Sequence, residues 1–147
     1  MKALFVILLF LSAAVHAAEP AIDEAFLYDY LAGRYILIGK ALDGENTYRG
    51  SVEFASKRDH LDVTRTINGV TVMGVGRIEY ALGADRATVL RVRFKQDGVD
   101  YETTYLWRSD LDNYARISGY LYRPGVKTDS PGMEVLFIDH GGRDETG

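Results

Sequence analysis

The fold is decided by residues 87–108, ATVLRVRFKQDGVDYETTYLWR, in which two runs of alternating side chains flank the dipeptide Asp97-Gly98. Asp-Gly tolerates the positive φ of a tight hairpin turn. Successive side chains of a β-strand point to opposite faces of the sheet, so a buried face recurs in the sequence with a period of two. In the second run that face comprises Val99, Tyr101, Thr103, Tyr105 and Trp107. The stretch therefore predicts an antiparallel hairpin with one inward and one outward face.

The same period extends along most of the chain. It defines eight strand-like runs, at residues 34–40, 47–55, 60–67, 70–80, 87–95, 99–108, 114–122 and 133–140. Short connections such as Asp43-Gly44 and Asn68-Gly69 join them, which is typical of an antiparallel meander. Eight strands suffice to close an up-and-down barrel and so remove both edges of the sheet. We therefore predict an all-β fold, an antiparallel meander that closes into a barrel.

A short amphipathic helix is predicted before the first strand, at residues 22–32. Acidic residues at positions 23 and 24 favour a helix start, because negative charge there complements the helix dipole. Gly33 is a stop signal at the other end. The predicted apolar stripe, at helical spacing, consists of Ile22, Phe26, Leu27, Tyr30 and Leu31.

The first 17 residues have the order of a cleavable secretory signal peptide. Lys2 precedes an uncharged apolar stretch at residues 3–15, and Val15-His16-Ala17 supplies small residues for cleavage after Ala17. The apolar stretch is shorter than the roughly 20 residues of a membrane span, although an uncleaved anchor is the alternative interpretation. We predict a signal peptide at 1–17, one barrel domain at 18–140 and a flexible tail at 141–147. The expected location is periplasmic or secreted, as a soluble protein without a stable membrane anchor.

Composition narrows the classes of function. The chain has 17 Lys and Arg against 21 Asp and Glu, for a formal net charge of −4, and loss of Lys2 on cleavage would make it more negative. An acidic domain argues against nucleic acid and anionic membranes as partners. The chain has no cysteine, which rules out disulfides, thiol catalysis, thiolate metal sites and a lipoprotein anchor, and fits a bacterial envelope protein.

The start of the predicted barrel carries a family resemblance. A short helix followed by Gly33-Arg34-Tyr35 resembles the calycin superfamily of lipocalin-like barrels, whose first strand begins Gly-x-Trp. The hairpins containing Tyr48-Arg49-Gly50 and Gly74-Val75-Gly76 are similar to those of bacterial lipocalin-like and avidin-like envelope proteins. The chain departs from lipocalins in having no Thr-Asp-Tyr motif and no predicted C-terminal helix. The resemblance implies a calycin-like barrel with a ligand cavity.

Aromatic side chains on the inward faces are candidate ligand contacts. Rings with a few polar groups are typical linings of small-molecule pockets. The candidates are Tyr35, Tyr48, Tyr101, Thr103, Tyr105 and Trp107, together with Arg65. The alternative is a filled barrel in which these rings only pack against one another.

Arg65 is the most informative of these candidates, because it shares a predicted inward face with Leu61, Val63 and Ile67. A buried arginine must pair with an acidic group or meet an anionic ligand. Two ordinary alternatives are a position at the barrel rim and a bulge that turns the side chain outward.

Catalytic and metal-binding patterns are weak. After the predicted signal peptide the histidines are His60 and His140, each expected at the surface, which gives no recognisable triad or zinc set. The oxygen-rich run at residues 110–113 lacks the spacing of a calcium loop. We therefore expect a non-catalytic protein without metal or cofactor that binds a small apolar or amphiphilic ligand. The alternatives are an interaction module (an inhibitor or assembly factor) with a filled barrel, which would use the irregular stretch at residues 123–132, and an enzyme on a barrel scaffold.

Overall fold

The computed structural model describes residues 24–81, 87–109 and 115–141. Its elements are α1 (Glu24–Leu31), β1 (Gly33–Lys40), β2 (Thr47–Ser56), β3 (Leu61–Ile67), β4 (Val70–Ala81), β5 (Ala87–Gln96), β6 (Val99–Ser109), β7 (Ala115–Tyr122) and β8 (Gly132–Ile138). Each strand pairs antiparallel with the next, and β8 pairs with β1, so the sheet closes into a barrel. The predicted all-β barrel with a short helix is confirmed.

The described strand ends lie within two residues of the predicted ones. The predicted signal peptide, the first two residues of the predicted helix, the start of the seventh predicted strand and residues 142–147 lie outside the described residues. In the part of the chain that the structure describes, no helix is long and apolar enough to cross a membrane.

The turns follow the predicted chemistry. Asn68 and Asp97 adopt positive φ angles of 52° and 51°, and the glycine after each has a φ of 78° or 77°. Two consecutive residues with positive φ match the right-handed twist of the strands that they join. The hairpins β3–β4 and β5–β6 therefore reverse in two residues, which fixes their register and keeps the inward faces aligned.

Helix α1 covers one end of the barrel, called here the helix end, where β1 starts and β2 and β4 finish. Tyr28 and Leu31 are buried, and the Tyr28 hydroxyl accepts a hydrogen bond of 3.1 Å from the backbone N–H of Ile78. The Tyr35 hydroxyl donates to the carbonyl oxygen of Leu31 at 2.8 Å. The predicted helix stripe was wrong in one respect: Phe26 is 65% exposed. Tyr28, which was not in the predicted stripe, is buried instead, and the backbone N–H of Ile78 satisfies its hydroxyl.

The half of the barrel beneath α1 is filled by side chains. Tyr35 and Phe54 pack with their ring centroids 5.3 Å apart. Around them lie fully buried aliphatic side chains from five elements: Leu31, Leu61, Leu90, Ile117 and Leu136. This apolar packing is the main source of stability for a domain that has no disulfides.

Candidate functional site

The other half of the barrel is hollow. A cavity of about 380 Å³ lies at the end opposite α1, called here the open end, where β1–β2, β3–β4, β5–β6 and β7–β8 are joined. Its lining residues are Ala41, Leu42, Tyr48, Arg65, Ile67, Asn68, Val70, Val72, Phe94, Gln96, Tyr101 and Leu121. The volume falls in the range of about 300–1,000 Å³ that small-molecule sites occupy.

The cavity wall is apolar and aromatic. Phe94 and Tyr101, which are paired across β5 and β6, stack with their ring centroids 5.5 Å apart at an angle of 16°. Aliphatic side chains from β3, β4 and β7 complete the wall. Asn68 and Gln96 contribute neutral amides. The wall therefore offers a mostly apolar surface with a small number of uncharged polar groups.

Arg65 lies at the floor of the cavity and is only 3% exposed. It points inward because it lies on the same face of β3 as Leu61 and Val63, which are fully buried. Its Nη1 and Nη2 donate to Oε2 and Oε1 of Glu134 on β8 at 3.0 and 2.5 Å, a bidentate ion pair. The guanidinium carbon also lies 4.4 Å from the ring centroid of Phe94, which is cation–π geometry. Neither the rim nor the outward-bulge interpretation of Arg65 applies.

Two tyrosine hydroxyls complete the environment of Glu134. The Tyr48 hydroxyl donates to Oε1 at 2.6 Å, and the Tyr105 hydroxyl donates to Oε2. Tyr105 also accepts a hydrogen bond of 3.3 Å from Nη1 of Arg65. The Glu134 carboxylate therefore accepts four hydrogen bonds and has no exposed surface. This polar cluster of Tyr48, Arg65, Tyr105 and Glu134 joins β2, β3, β6 and β8 across the barrel.

The protonation states of the polar cluster follow from these contacts. Burial alone would raise the pKa of Glu134, but the charge of Arg65 and the hydrogen bonds from Arg65, Tyr105 and Tyr48 outweigh burial and hold that pKa below its ordinary value. Burial and the nearby Glu134 charge raise the pKa of Tyr48 and of Tyr105 well above the ordinary tyrosine value. At neutral pH Glu134 is therefore an anion, and both phenols hold their protons as donors.

The structure brings together some of the predicted site residues. Tyr48, Arg65 and Tyr101 line the cavity. Tyr105 is fully buried below it and belongs to the polar cluster. Thr103 is fully buried, and its hydroxyl oxygen has no hydrogen-bond partner in the described part of the chain.

The two remaining candidates lie towards the helix end, where Tyr35 is part of the core and Trp107 packs against it. For Tyr35, Thr103, Tyr105 and Trp107, contact with a ligand stays a prediction.

Glu134 is the member of the polar cluster that was not predicted from the sequence. Its parity along β8 matches the buried Leu136, which is the signal for an inward side chain. The outward positions hide that signal, because Met133 and Phe137 are apolar and yet about half exposed. When both faces of a strand are apolar, the sequence does not show which face points inward, and the orientation of one acidic residue cannot be predicted from it.

Comparison of the sequence with models of known protein families gives no match, and comparison with curated proteins gives none either. The agreement with calycins lies in the architecture. The chain forms a closed antiparallel barrel of eight strands preceded by a short helix, which is consistent with a calycin-like arrangement.

The buried phenols predict a loss of stability at alkaline pH. Burial, with a smaller contribution from Tyr30, raises the pKa of Tyr35 to about 12, and the pKa values of Tyr48 and Tyr105 are raised too. The unfolded chain releases these protons near pH 10, while the folded chain keeps them. The stabilisation is therefore complete below pH 10 and is lost as the pH rises towards the folded-state values.

We expect the free energy of unfolding to fall above pH 10 by about 1.4 kcal/mol per pH unit for each such tyrosine. Urea unfolding at pH 8 to 11.5 measures the slope. In the variant Tyr35→Phe, the free energy of unfolding should fall less steeply with pH, because one titrating tyrosine has been removed. A free energy of unfolding that does not change with pH in the wild type would contradict the prediction.

Proposed function

We propose that this protein binds a small amphiphilic molecule in the cavity at the open end of its barrel. The observation that carries the proposal is a hollow of about 380 Å³ with apolar and aromatic walls and a polar floor. Such a combination is typical of small-molecule sites, where apolar walls supply affinity and a few convergent polar groups fix orientation. The aliphatic and aromatic wall suits the apolar body of a ligand, and Arg65 and Tyr48 suit its polar end.

The cavity also gives less support to the two alternative functions, an interaction module and an enzyme. An interaction module was expected to have a filled barrel, and this barrel is filled only beneath α1. An enzyme needs acid, base or nucleophile groups that reach its substrate. Of the residues that the structure describes, the twelve that line the cavity include no histidine and no carboxylate, and Glu134 is enclosed by its hydrogen-bond donors. Both alternatives therefore have less support than binding.

Native mass spectrometry of the protein, purified without detergent from the cells that express it, tests the proposal. A bound small molecule that is released on denaturation is the expected result. A thermal-shift series with alkyl alcohols, amides, esters and aromatic metabolites provides the second readout, because a ligand that binds only the folded state raises the melting temperature. An apo mass together with no shift across the series would contradict the proposal.

Filling the cavity should abolish binding while leaving the fold intact. Val72 lines the cavity, whereas Val75 on the same strand points outward and is 39% exposed. We expect Val72→Trp to weaken binding by about tenfold or more, because the indole occupies the ligand's space and about 1.4 kcal/mol of lost contact is a factor of ten. Val75→Trp is the matched control and should bind like the wild type. Equal affinity in both variants, measured by calorimetry, would place the ligand elsewhere.

A further inference from the structure

We infer that the ligand presents an uncharged hydrogen-bond acceptor, such as a carbonyl, ester or hydroxyl oxygen, to Arg65 at the cavity floor, and that carboxylate heads are disfavoured there. The inference rests on the proposed function and specifies the chemical class of its ligand. It depends on the charge of the lining, on the way in which that charge is already compensated, and on the donors that remain.

The lining of the cavity carries little charge. Among the residues that the structure describes, twelve line the cavity, and Arg65 is the one of these that carries a charge. The remaining polar lining groups are the hydroxyls of Tyr48 and Tyr101 and the amides of Asn68 and Gln96, all neutral. An anionic ligand would therefore depend on Arg65 alone for electrostatic attraction.

The charge of Arg65 is already compensated. Glu134 forms a bidentate pair with it directly behind the floor, with both oxygens within 3.0 Å of guanidinium nitrogens. A buried pair of this kind has no net charge and therefore does not attract a third ion. A carboxylate that entered the cavity would lose its hydration and would meet Arg65 and the like charge of Glu134 together, which is unfavourable. Cations are disfavoured too, since all four hydrogen bonds that Glu134 accepts come from the protein.

Arg65 can nevertheless donate a hydrogen bond to a ligand at the floor. Within the described residues, the hydrogen bonds of Arg65 come from Nη1 and Nη2, and none comes from Nε. A guanidinium has five N–H donors and no acceptor, so what Arg65 can give a ligand is a hydrogen bond to an acceptor atom. A neutral oxygen can accept that bond at a much smaller desolvation cost than an ion. This is the reason why the floor selects an uncharged acceptor.

Isothermal calorimetry with three ligands of equal chain length tests the inference on the wild-type protein at pH 7.5. Decanamide and decanoate have heads of the same shape and differ in charge, and methyl decanoate is a neutral acceptor without an N–H donor. We expect decanamide and methyl decanoate to bind with similar affinity, and decanoate to bind about tenfold more weakly or worse.

The outcomes separate the two proposals. Decanoate binding as tightly as decanamide, or more tightly, would overturn the inference and leave ligand binding in place. Binding of decanamide without binding of methyl decanoate would also overturn it, because the floor would then be recognising a donor. If none of the three binds and the thermal-shift series is also flat, both the inference and the proposed function fail.

Discussion

Replacing Glu134 with leucine is expected to lower the free energy of unfolding by about 3–5 kcal/mol, because it leaves the buried Arg65 charge without its partner. The carboxylate has no exposed surface and accepts hydrogen bonds from Arg65, Tyr48 and Tyr105, so water cannot easily replace it. The matched control is Glu53→Leu, which removes an exposed glutamate from the outer face of β2 and should change stability by about 0.5 kcal/mol or less.

Urea unfolding of Arg65→Met, Glu134→Leu and the double variant measures how strongly the two residues are coupled. Replacing both members of a buried pair by apolar side chains avoids the isolated charge, so the double variant should be more stable than Glu134→Leu alone. It should not recover fully, since Tyr48 and Tyr105 still lose the acceptor for their hydroxyls. Additive losses in the double variant would show that the pair is not coupled, against the geometry seen here.

Gly119→Ala is expected to destabilise the barrel by about 1–3 kcal/mol, the range typical of an overpacked interior. A Cβ at Gly119 would collide with the carbonyl oxygen of Thr104 and would lie 2.8 Å from the Cα of Tyr105 on the paired strand. These are backbone atoms, so the strain can be relieved only by moving β6 and β7 apart. That movement would also displace the Tyr105 hydroxyl from Glu134.

The control for this prediction is Ser118→Ala, at the neighbouring and exposed position of β7. It keeps the strand and removes only a surface hydroxyl, so its free energy of unfolding should stay within about 0.5 kcal/mol of the wild type. Chemical unfolding of both variants at pH 7.5 makes the comparison. If Gly119→Ala is as stable as Ser118→Ala, β6 and β7 can accommodate a Cβ at position 119 and the prediction is wrong.

The fold could be predicted from the sequence because its local signals all agree. The turn at Asp97-Gly98 adopts the conformation that its residues favour, and the strands around it alternate as a barrel requires. Arg65 was placed inside by the same alternation, since Leu61 and Val63 fix the inward parity of β3. Period and turn chemistry together therefore determined the elements, their order and the inward placement of three members of the polar cluster, Tyr48, Arg65 and Tyr105.

The depth of each side chain in the barrel could not be predicted in this way. Tyr101, Tyr105 and Trp107 share one face of β6, yet Tyr101 lines the cavity, Tyr105 lies beneath it and Trp107 packs near the helix end. Depth depends on the stagger between strands and on which side chains α1 brings to one end. Neither quantity is encoded in the alternation of a single strand, and so the division into a filled and a hollow half appears only in three dimensions.

Closure of the barrel between its first and last strands has a consequence for how the chain folds. Tyr35 pairs with Ile138, so this pairing closes a very long loop and can complete only after almost the whole domain is available. Glu134 arrives on that last strand. A slip of one residue in the β1–β8 register would turn Glu134 to the outside and leave Arg65 buried without a counter-ion. The ion pair therefore forms only in the arrangement in which β1 and β8 have paired in register.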